Sequence, residues 1–204
     1  MVATEAIGVN YADCIIRMGL YASAQEFVGW PITPGFEFAG TVAAVAMGAD
    51  VVIDKSREDL WKAAEKAAPK GYDVVFDANG VATLPQSYKH LASPGKLVIY
   101  GFHSMMPRQG GRPNWLKLAW DWLRTPRYNP LTLTNDNTSV LAFNLSYLFE
   151  QREILSESMT RLLAWVEEGK LVAPPVTRFP LDQVTEAHRA IESGTTVGKL
   201  VLVP

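Results

Sequence analysis

Two short stretches of the 204-residue chain decide its fold: Gly71–Gly80 reads GYDVVFDANG, and Gly95–Gly101 reads GKLVIYG. Each holds a run rich in β-branched and aromatic residues that stands between glycines. Such runs are typical of strands buried on both faces of a parallel sheet. A helix pattern, interrupted early by Pro85, separates them over Val81–Leu91. Together the stretches predict a strand–helix–strand unit.

The alternation of strand and helix patterns extends along the C-terminal two-thirds of the chain. The predicted strands are Ala49–Asp54, Tyr72–Asp77, Lys96–Gly101, Ser139–Leu145 and Lys199–Val203. The predicted helices are one that begins at Ser56 with Asp59 as its capping partner, then Val81–Leu91, Asn114–Arg124, Leu155–Glu168 and Leu181–Ser193. This order predicts an α/β fold with a parallel sheet covered on both faces. Residues 1–42 combine one short helix with a Gly/Pro-rich loop and are expected to belong to a second domain.

Composition and charge exclude several classes of protein. The net charge of −2 offers no electrostatic attraction to nucleic acid. The single cysteine, Cys14, excludes an internal disulfide and multi-cysteine metal sites. The longest uncharged stretch, Asn137–Phe149, is shorter than the ~18 residues of a spanning helix, and the N-terminus lacks a signal-peptide pattern. A cytoplasmic protein is therefore expected.

Three groups of motifs, in their order along the chain, carry a resemblance to a known family. They are Gly8–Asp13 with Arg17–Tyr21 and Pro34–Gly40, then Gly71–Gly80 with Gly95–Gly101, and finally Val197–Leu202. In this order they resemble the medium-chain dehydrogenase/reductase superfamily, in its quinone oxidoreductase branch. The Trp-rich segment and the Phe143–Leu145 stretch are most similar to the vesicle amine transport protein 1 homologs of that branch.

The resemblance implies two domains, a GroES-like β-barrel catalytic domain and a Rossmann-type cofactor domain. Residues 1–42 would be part of the first, 43–145 the C-terminal part of the second, and 146–204 a return to the first. Zinc-dependent members of the superfamily carry histidine in a Gly-His-Glu motif, where this chain has Phe36. Its histidines, His90, His103 and His188, lack the spacing of metal ligands, so no metal site is expected.

One part of the cofactor domain is missing from the sequence. No glycine-rich phosphate-binding turn is present, because Gly40–Val42 runs directly into Ala43–Gly48, which resembles the helix after the second Rossmann strand. Without the first two strands, Ala49–Asp54 would have no neighbour in the sheet, and its backbone and apolar side chains would be exposed. Either the chain is incompletely represented, or it is a truncated product that should repack, swap strands with a partner or lose cofactor binding.

The resemblance also implies which residues bind NADPH and substrate. Asn10 and Tyr21 would face the nicotinamide, and Tyr21 would polarise a substrate carbonyl. The implied cofactor contacts are Asn79, Gly80, Tyr100, Gly101, Phe102, Phe143, Asn144, Leu145 and Lys199. The Phe143 strand would also pair with a second subunit in a homodimer. Ordinary structural roles stay open for each group. Asn10 and Asp13 would be a helix N-cap and its acidic partner, Tyr21 a packed loop residue, the strand ends plain strand-to-helix turns, and Lys199 an exposed lysine.

Arg108–Arg127 suggests a separate interaction. It interleaves five basic residues and one acid, Asp121, with tryptophans and leucines, a composition that suits a membrane interface or an acidic partner. The alternative is a helix that packs over the cofactor cleft or the dimer face.

The interpretation that follows is a zinc-independent oxidoreductase that transfers hydride from NADPH to a quinone or an α,β-unsaturated carbonyl. The alternative is a non-enzymatic protein, membrane-peripheral or partner-binding, on the same scaffold. In the second case the protein would be associated with the periphery of a membrane.

Overall fold

The computed structural model describes residues 7–9, 50–55, 57–105, 114–148, 150–171, 175–193, 196 and 198–204. The chain divides into two compact units. The central unit comprises residues 51–107 and 112–145, and the terminal unit comprises residues 1–50, 108–111 and 146–204.

A three-stranded parallel sheet organises the central unit. Its elements are α1 (Leu60–Ala67), β2 (Tyr72–Asp77), α2 (Leu84–Lys89), β3 (Leu91–Ile99), α3 (Trp115–Arg124), α4 (Pro130–Asp136) and β4 (Thr138–Ala142). The strand order is β2-β3-β4, with Phe76 opposite Val98 and Val98 opposite Leu141. The parallel sheet predicted from the sequence is therefore confirmed.

The core of the central unit lies on one face of this sheet. Leu84 of α2 packs against Leu97 and Ile99 of β3, and all three side chains are buried. Val75, Tyr88 and Tyr128 are among the partly buried side chains around them. Successive side chains of a strand point to opposite faces, so Leu97 and Ile99, which are two residues apart, both point into the core on this side of β3.

The prediction that both faces of the sheet are covered is wrong for the opposite face. Val74, Phe76, Leu141 and Phe143 project from this face, and all are more than two-fifths exposed. Near the beginning of β2, on this side of the sheet, the Tyr72 hydroxyl donates to the Ala64 carbonyl of α1 at 2.9 Å.

The predicted strand Ala49–Asp54 is wrong for the residues that the structure describes. Val51–Asp54 has no strand conformation, and Val51 and Val52 are exposed. A β-branched run forms a strand only where a neighbouring strand pairs with its backbone N–H and C=O groups. The sequence lacks the first two strands of the cofactor domain, which would have supplied that neighbour. Local propensity alone does not hold this segment extended in a sheet.

Helix boundaries also differ from the sequence-based expectation. Helix α1 begins at Leu60 and is capped by Asp59, whose carboxyl oxygen accepts hydrogen bonds from Trp61 N and Lys62 N. Helix α2 begins only at Leu84, just before Pro85, and the preceding residues 81–83 form a turn. Helix α4, which begins at Pro130, was not predicted.

The terminal unit contains a second, mixed sheet. Its elements are β1 (Ile7–Val9), α5 (Arg152–Glu167), β5 (Val176–Pro180), α6 (Val184–Ser193) and β6 (Lys199–Val203). Strand β6 lies in the middle, antiparallel to β1 and parallel to β5. Val9, Ala187, Leu200 and Leu202 form the buried core between this sheet and α6.

Candidate functional site

The carboxyl ends of the three central strands meet at one edge of the sheet. Beyond the last paired residues, Tyr100 N donates to the Asp77 carbonyl at 3.0 Å, and Phe143 N donates to the Ile99 carbonyl at 3.1 Å. The turns that follow β2, β3 and β4 therefore start side by side. Ligands of open α/β sheets bind at this edge, which makes these turns the candidate functional site.

The turn after β2 is organised by one buried side chain. Asp77 is 3% exposed, and its Oδ1 accepts hydrogen bonds from Asn79 N at 2.8 Å and Gly80 N at 2.9 Å. The Thr83 hydroxyl donates to Oδ2 at 2.7 Å, and the Ser87 hydroxyl donates to Oδ2 at 2.6 Å. The carboxyl group thus joins the turn to the beginning of α2.

The turn after β3 interlocks with the turn after β2. His103 N donates to the Ala78 carbonyl at 3.0 Å, and Ser104 N donates to the Asn79 carbonyl at 2.9 Å. Glycines permit the close approach: a Cβ at Gly101 would lie 2.7 Å from the Ala78 oxygen. The two turns are therefore held together as one packed unit.

Three aromatic side chains form a row across the ends of the strands. The ring centroids of Phe76 and Tyr100 are 6.4 Å apart, and the rings meet edge to face. Tyr100 and Phe143 are 6.3 Å apart with nearly parallel rings. All three are partly exposed, so the site presents an apolar aromatic surface, a feature common in sites for planar organic ligands.

His103 and Tyr128 are among the titratable groups of the central unit whose pKa values are shifted. Partial desolvation lowers the pKa of the His103 imidazole, so this ring stays neutral to a lower pH than an ordinary histidine does. Burial raises the pKa of Tyr128 to about 12, with further contributions from the nearby Asp77 carboxyl group and Tyr88. The Tyr128 hydroxyl is buried and has no hydrogen-bond partner among the described residues.

Most of the predicted cofactor contacts lie at this edge. The residues brought together are Asn79, Gly80, Tyr100, Gly101, Phe102 and Phe143. Asn79 is exposed at the surface of its turn, and only Gly80 in that turn has a positive φ, +81°. Asn144 and Leu145, which follow Phe143, are also exposed.

Three predicted residues are not part of this assembly as described. Lys199 belongs to the terminal unit, where it is buried and its Nζ lies 3.4 Å from the Val9 carbonyl. The alternative of an exposed lysine is therefore wrong. Asn10 and Tyr21, like the Phe36 position, lie outside the described residues.

Sequence reasoning missed the residues that hold the site together. Asp77, Thr83 and Ser87 received no role, although an aspartate two residues before an asparagine at a strand end is typical of a side-chain-capped turn. That signal was available in the Asp77–Gly80 stretch. Phe76 was treated as an ordinary strand residue, and no sequence pattern shows that its side of the sheet is uncovered.

The part of the chain that the structure describes contains no group of three or more His, Cys, Asp or Glu side chains placed to hold a metal ion. None of its helices is both long and apolar enough to span a lipid bilayer.

Comparison with known proteins identifies the family. The profile of the zinc-binding dehydrogenases matches residues 47–202, and that of the alcohol dehydrogenase GroES-like domain matches residues 1–57. The chain belongs to the medium-chain dehydrogenase/reductase superfamily. Within this superfamily it is similar to quinone-oxidoreductase-like members, which confirms the resemblance seen in its motifs.

Individual relatives agree with this assignment. The human synaptic vesicle membrane protein VAT-1 homolog is 31% identical over 152 residues, which cover 74% of this chain and 38% of that protein. A quinone oxidoreductase from Escherichia coli, solved with NADPH, is 25% identical with a TM-score of 0.57 and covers 78% of this chain and 45% of that one. A quinone oxidoreductase from Pseudomonas syringae is 24% identical with a TM-score of 0.57 and covers 82% and 47%.

These relatives confirm the predicted fold class, an α/β protein with Rossmann-type and GroES-like parts of the medium-chain superfamily. The chain spans between 31% and 39% of the length of the VAT-1 relatives that it matches. Activity and substrates of the whole medium-chain enzyme are therefore matters for proposal.

Proposed function

We propose that this protein is an oxidoreductase that uses NADPH to reduce a quinone or an α,β-unsaturated carbonyl compound. The observation that carries the proposal is the interlocked pair of turns at the carboxyl edge of the parallel sheet. This edge is where Rossmann-type sheets bind nucleotides. The NADPH named for the Escherichia coli neighbour supports the same cofactor here.

The residues at this edge fit one part of such a cofactor. Asn79 is exposed in its turn, at the same edge of the sheet as the aromatic row of Phe76, Tyr100 and Phe143. These groups suit the ribose and the planar nicotinamide ring. The sequence holds no glycine-rich turn for the pyrophosphate, so the fit concerns the nicotinamide half alone.

When bound, NADPH would supply the hydride, and the protein would supply position and polarity. Residues of the strand-end turns would orient the nicotinamide end, with Asn144 and Leu145 beside it. These residues are Asn79, Gly80, Tyr100, Gly101, Phe102 and Phe143. By family resemblance, Asn10 and Tyr21 would meet the substrate. Phe143 and its neighbours would also pair with a second copy in a homodimer.

The test is a fluorescence titration with NADPH on protein whose intact mass has been verified. We expect saturable enhancement of cofactor emission, and a loss of affinity of about five-fold in Asn79→Ala, the value of one hydrogen bond. Asn135→Ala, which alters another exposed asparagine on α4, serves as the matched control and should bind as the wild type does. Absence of binding to the verified wild-type chain would reject the proposal.

A second proposal, that the protein touches an anionic membrane surface, rests on the orientation of α3. The Lys117 ammonium group donates to the Ser104 carbonyl at 2.8 Å and pairs with Asp121, so the polar side of the helix is engaged by the unit itself. The apolar residues Trp115, Leu116, Trp120, Trp122 and Leu123 are all more than half exposed. Arg124 and Arg127 lie at its C-terminal end, which favours a negatively charged surface.

Flotation with vesicles of anionic and of neutral lipid tests this second proposal. We expect binding to anionic vesicles alone, with a marked loss in Trp120→Ala. Trp165→Ala in α5 is the control for removal of a partly exposed tryptophan elsewhere. Equal recovery of wild type and Trp120→Ala with the vesicles, or no binding at all, would contradict the role of α3.

A further inference from the structure

We infer that Asp77 is a positioning residue whose buried carboxyl group sets both strand-end turns, residues 78–80 and 101–104, in their cofactor-facing arrangement. The inference rests on the proposed nicotinamide site. Asp77 is 3% exposed and does not present its own side chain to a ligand. Any effect on the site must therefore act through the backbone that it holds.

The first step is the anchoring of the turn after β2. The two N–H groups of Asn79 and Gly80 converge on one carboxyl oxygen, while the hydroxyl groups of Thr83 and Ser87 reach the other. The donors belong to the turn and to the beginning of α2. The carboxyl group therefore fixes the distance and angle between the turn and the helix that follows it.

The Asp77 side chain makes no hydrogen bond to the turn after β3. The constraint reaches that turn through the turn after β2. The carbonyl groups of Ala78 and Asn79 accept hydrogen bonds from His103 N and Ser104 N. These acceptors lie in the segment that the Asp77 carboxyl group restrains. A shift of residues 78–80 would break the bonds to His103 and Ser104 as well.

Close packing leaves little freedom for the two turns to move independently. A Cβ at Gly80 would lie 2.5 Å from Cδ1 of Phe102, and a Cβ at Gly101 would lie 2.7 Å from the Ala78 oxygen. There is thus no room for an added carbon atom between Gly80 and Phe102 or between Gly101 and Ala78. Because packed groups transmit a displacement rather than absorb it, the loss of the Asp77 anchor should disturb both turns together.

The geometry distinguishes two substitutions at this position. Asparagine retains one oxygen that can accept from Asn79 N and Gly80 N, and its amide group can donate to the hydroxyl oxygens of Thr83 and Ser87. Alanine removes every acceptor and leaves buried donors without partners. Asp77→Asn should therefore rescue most of what Asp77→Ala loses.

The first experiment measures amide hydrogen exchange in the cofactor-free protein. In Asp77→Ala we expect exchange at His103 and Ser104 to accelerate about ten-fold, as for the loss of one buried hydrogen-bonding arrangement. Asp77→Asn should remain close to the wild type. Faster exchange confined to Asn79 and Gly80 would overturn the inference, because the carboxyl group would then hold only its own turn.

The second experiment measures NADPH affinity and thermal stability of the same variants. Asp77→Ala should weaken NADPH binding about ten-fold, equivalent to one such arrangement, and Asp77→Asn by much less. Leu97→Ala, which opens the core on β3 but leaves the Asp77 hydrogen bonds intact, is the control for destabilisation alone. We expect it to lower the melting temperature and to leave NADPH affinity unchanged.

The outcomes separate this inference from the proposed function. If the wild type does not bind NADPH, the proposed function fails, and the exchange experiment still decides whether Asp77 holds both turns. If the wild type binds and Asp77→Ala binds equally well, the positioning role fails while the proposed function stands. If Leu97→Ala weakens binding as much as Asp77→Ala does, general destabilisation replaces positioning as the explanation.

Discussion

Gly80 and Phe102 lie so close together that a Cβ on residue 80 would sit 2.5 Å from Cδ1 of the Phe102 ring. Gly80 also has a φ of +81°, which L side chains rarely adopt. Position 80 therefore excludes other residues for two separate reasons, one conformational and one steric. Both reasons act at the point where the two strand-end turns meet.

Gly80→Ala should lower the free energy of unfolding by about 2–3 kcal/mol, since it combines an unfavourable φ with a collision. Gly169→Ala is the matched control, because its φ is +70° but no atom lies within 4 Å of the added Cβ. It should cost only about 1 kcal/mol. Urea denaturation measures both values, and equal costs would show that the contact with Phe102 is not limiting.

Leu97→Ala and Phe76→Ala should differ sharply although both residues are apolar and lie on neighbouring strands. Leu97 is 0% exposed, so its truncation should cost about 2–5 kcal/mol. Phe76 is 68% exposed, and its truncation should change stability by less than about 1 kcal/mol. Chemical denaturation compares them; a large loss in Phe76→Ala would mean that a part of the chain covers this face.

Tyr128 should make the protein sensitive to alkali. Its pKa is raised to about 12 in the folded protein, whereas the unfolded chain ionises near pH 10. Between these values the unfolded state loses its proton first, so stability is full below pH ~10 and declines as the pH rises toward ~12. Tyr128→Phe should flatten the stability profile in this window, as measured by thermal melts at increasing pH.

Tyr128→Phe carries a second expectation at neutral pH. The Tyr128 hydroxyl is buried without a hydrogen-bond partner among the described residues, so its removal should leave stability unchanged or slightly higher. Tyr88→Phe is the contrasting variant, because the Tyr88 hydroxyl lies 2.9 Å from both Asp136 and Thr138. A marked loss in Tyr128→Phe would reveal a partner for that hydroxyl.

His103 should lower stability in mildly acidic solution. Its pKa in the folded protein is below the ordinary value of about 6.5, because desolvation disfavours the charged ring. As the pH falls below ~6.5, the unfolded chain binds the proton first and the folded state is destabilised. His103→Gln should remove this part of the pH dependence. An NMR titration of the ring that gives a pKa at or above the ordinary value would contradict the prediction.

The strand pattern predicted Tyr72–Asp77 and Lys199–Val203 with the bounds that the structure shows. Both stretches have strand neighbours, so local preference and tertiary pairing agree. The run at Ala49–Asp54 shows the same preference, but Val51–Asp54 pairs with no strand among the described residues and is not itself a strand. The two cases differ in whether a neighbouring strand is present to pair with the segment. The sequence of the segment alone does not show this.

The candidate site divides in a similar way. Asn79, Gly80 and Gly101 stand out in the sequence because glycines and asparagine at strand ends mark turns. The role of Asp77 depends on the buried hydroxyl group of Ser87, which lies ten residues away on another element. The row of Phe76, Tyr100 and Phe143 depends on the register of three strands, which periodicity does not fix.

The motifs of the chain indicate the superfamily, and its apolar runs and glycines predict the parallel sheet and the turns at the carboxyl edge, because these signals act locally and appear in order along the chain. Which face of the sheet is covered, the burial of Lys199 and the joining of the two turns by Asp77 become visible in the folded chain. Those properties arise from side chains distant in sequence that meet in space, where burial and convergent hydrogen bonds outweigh local preference.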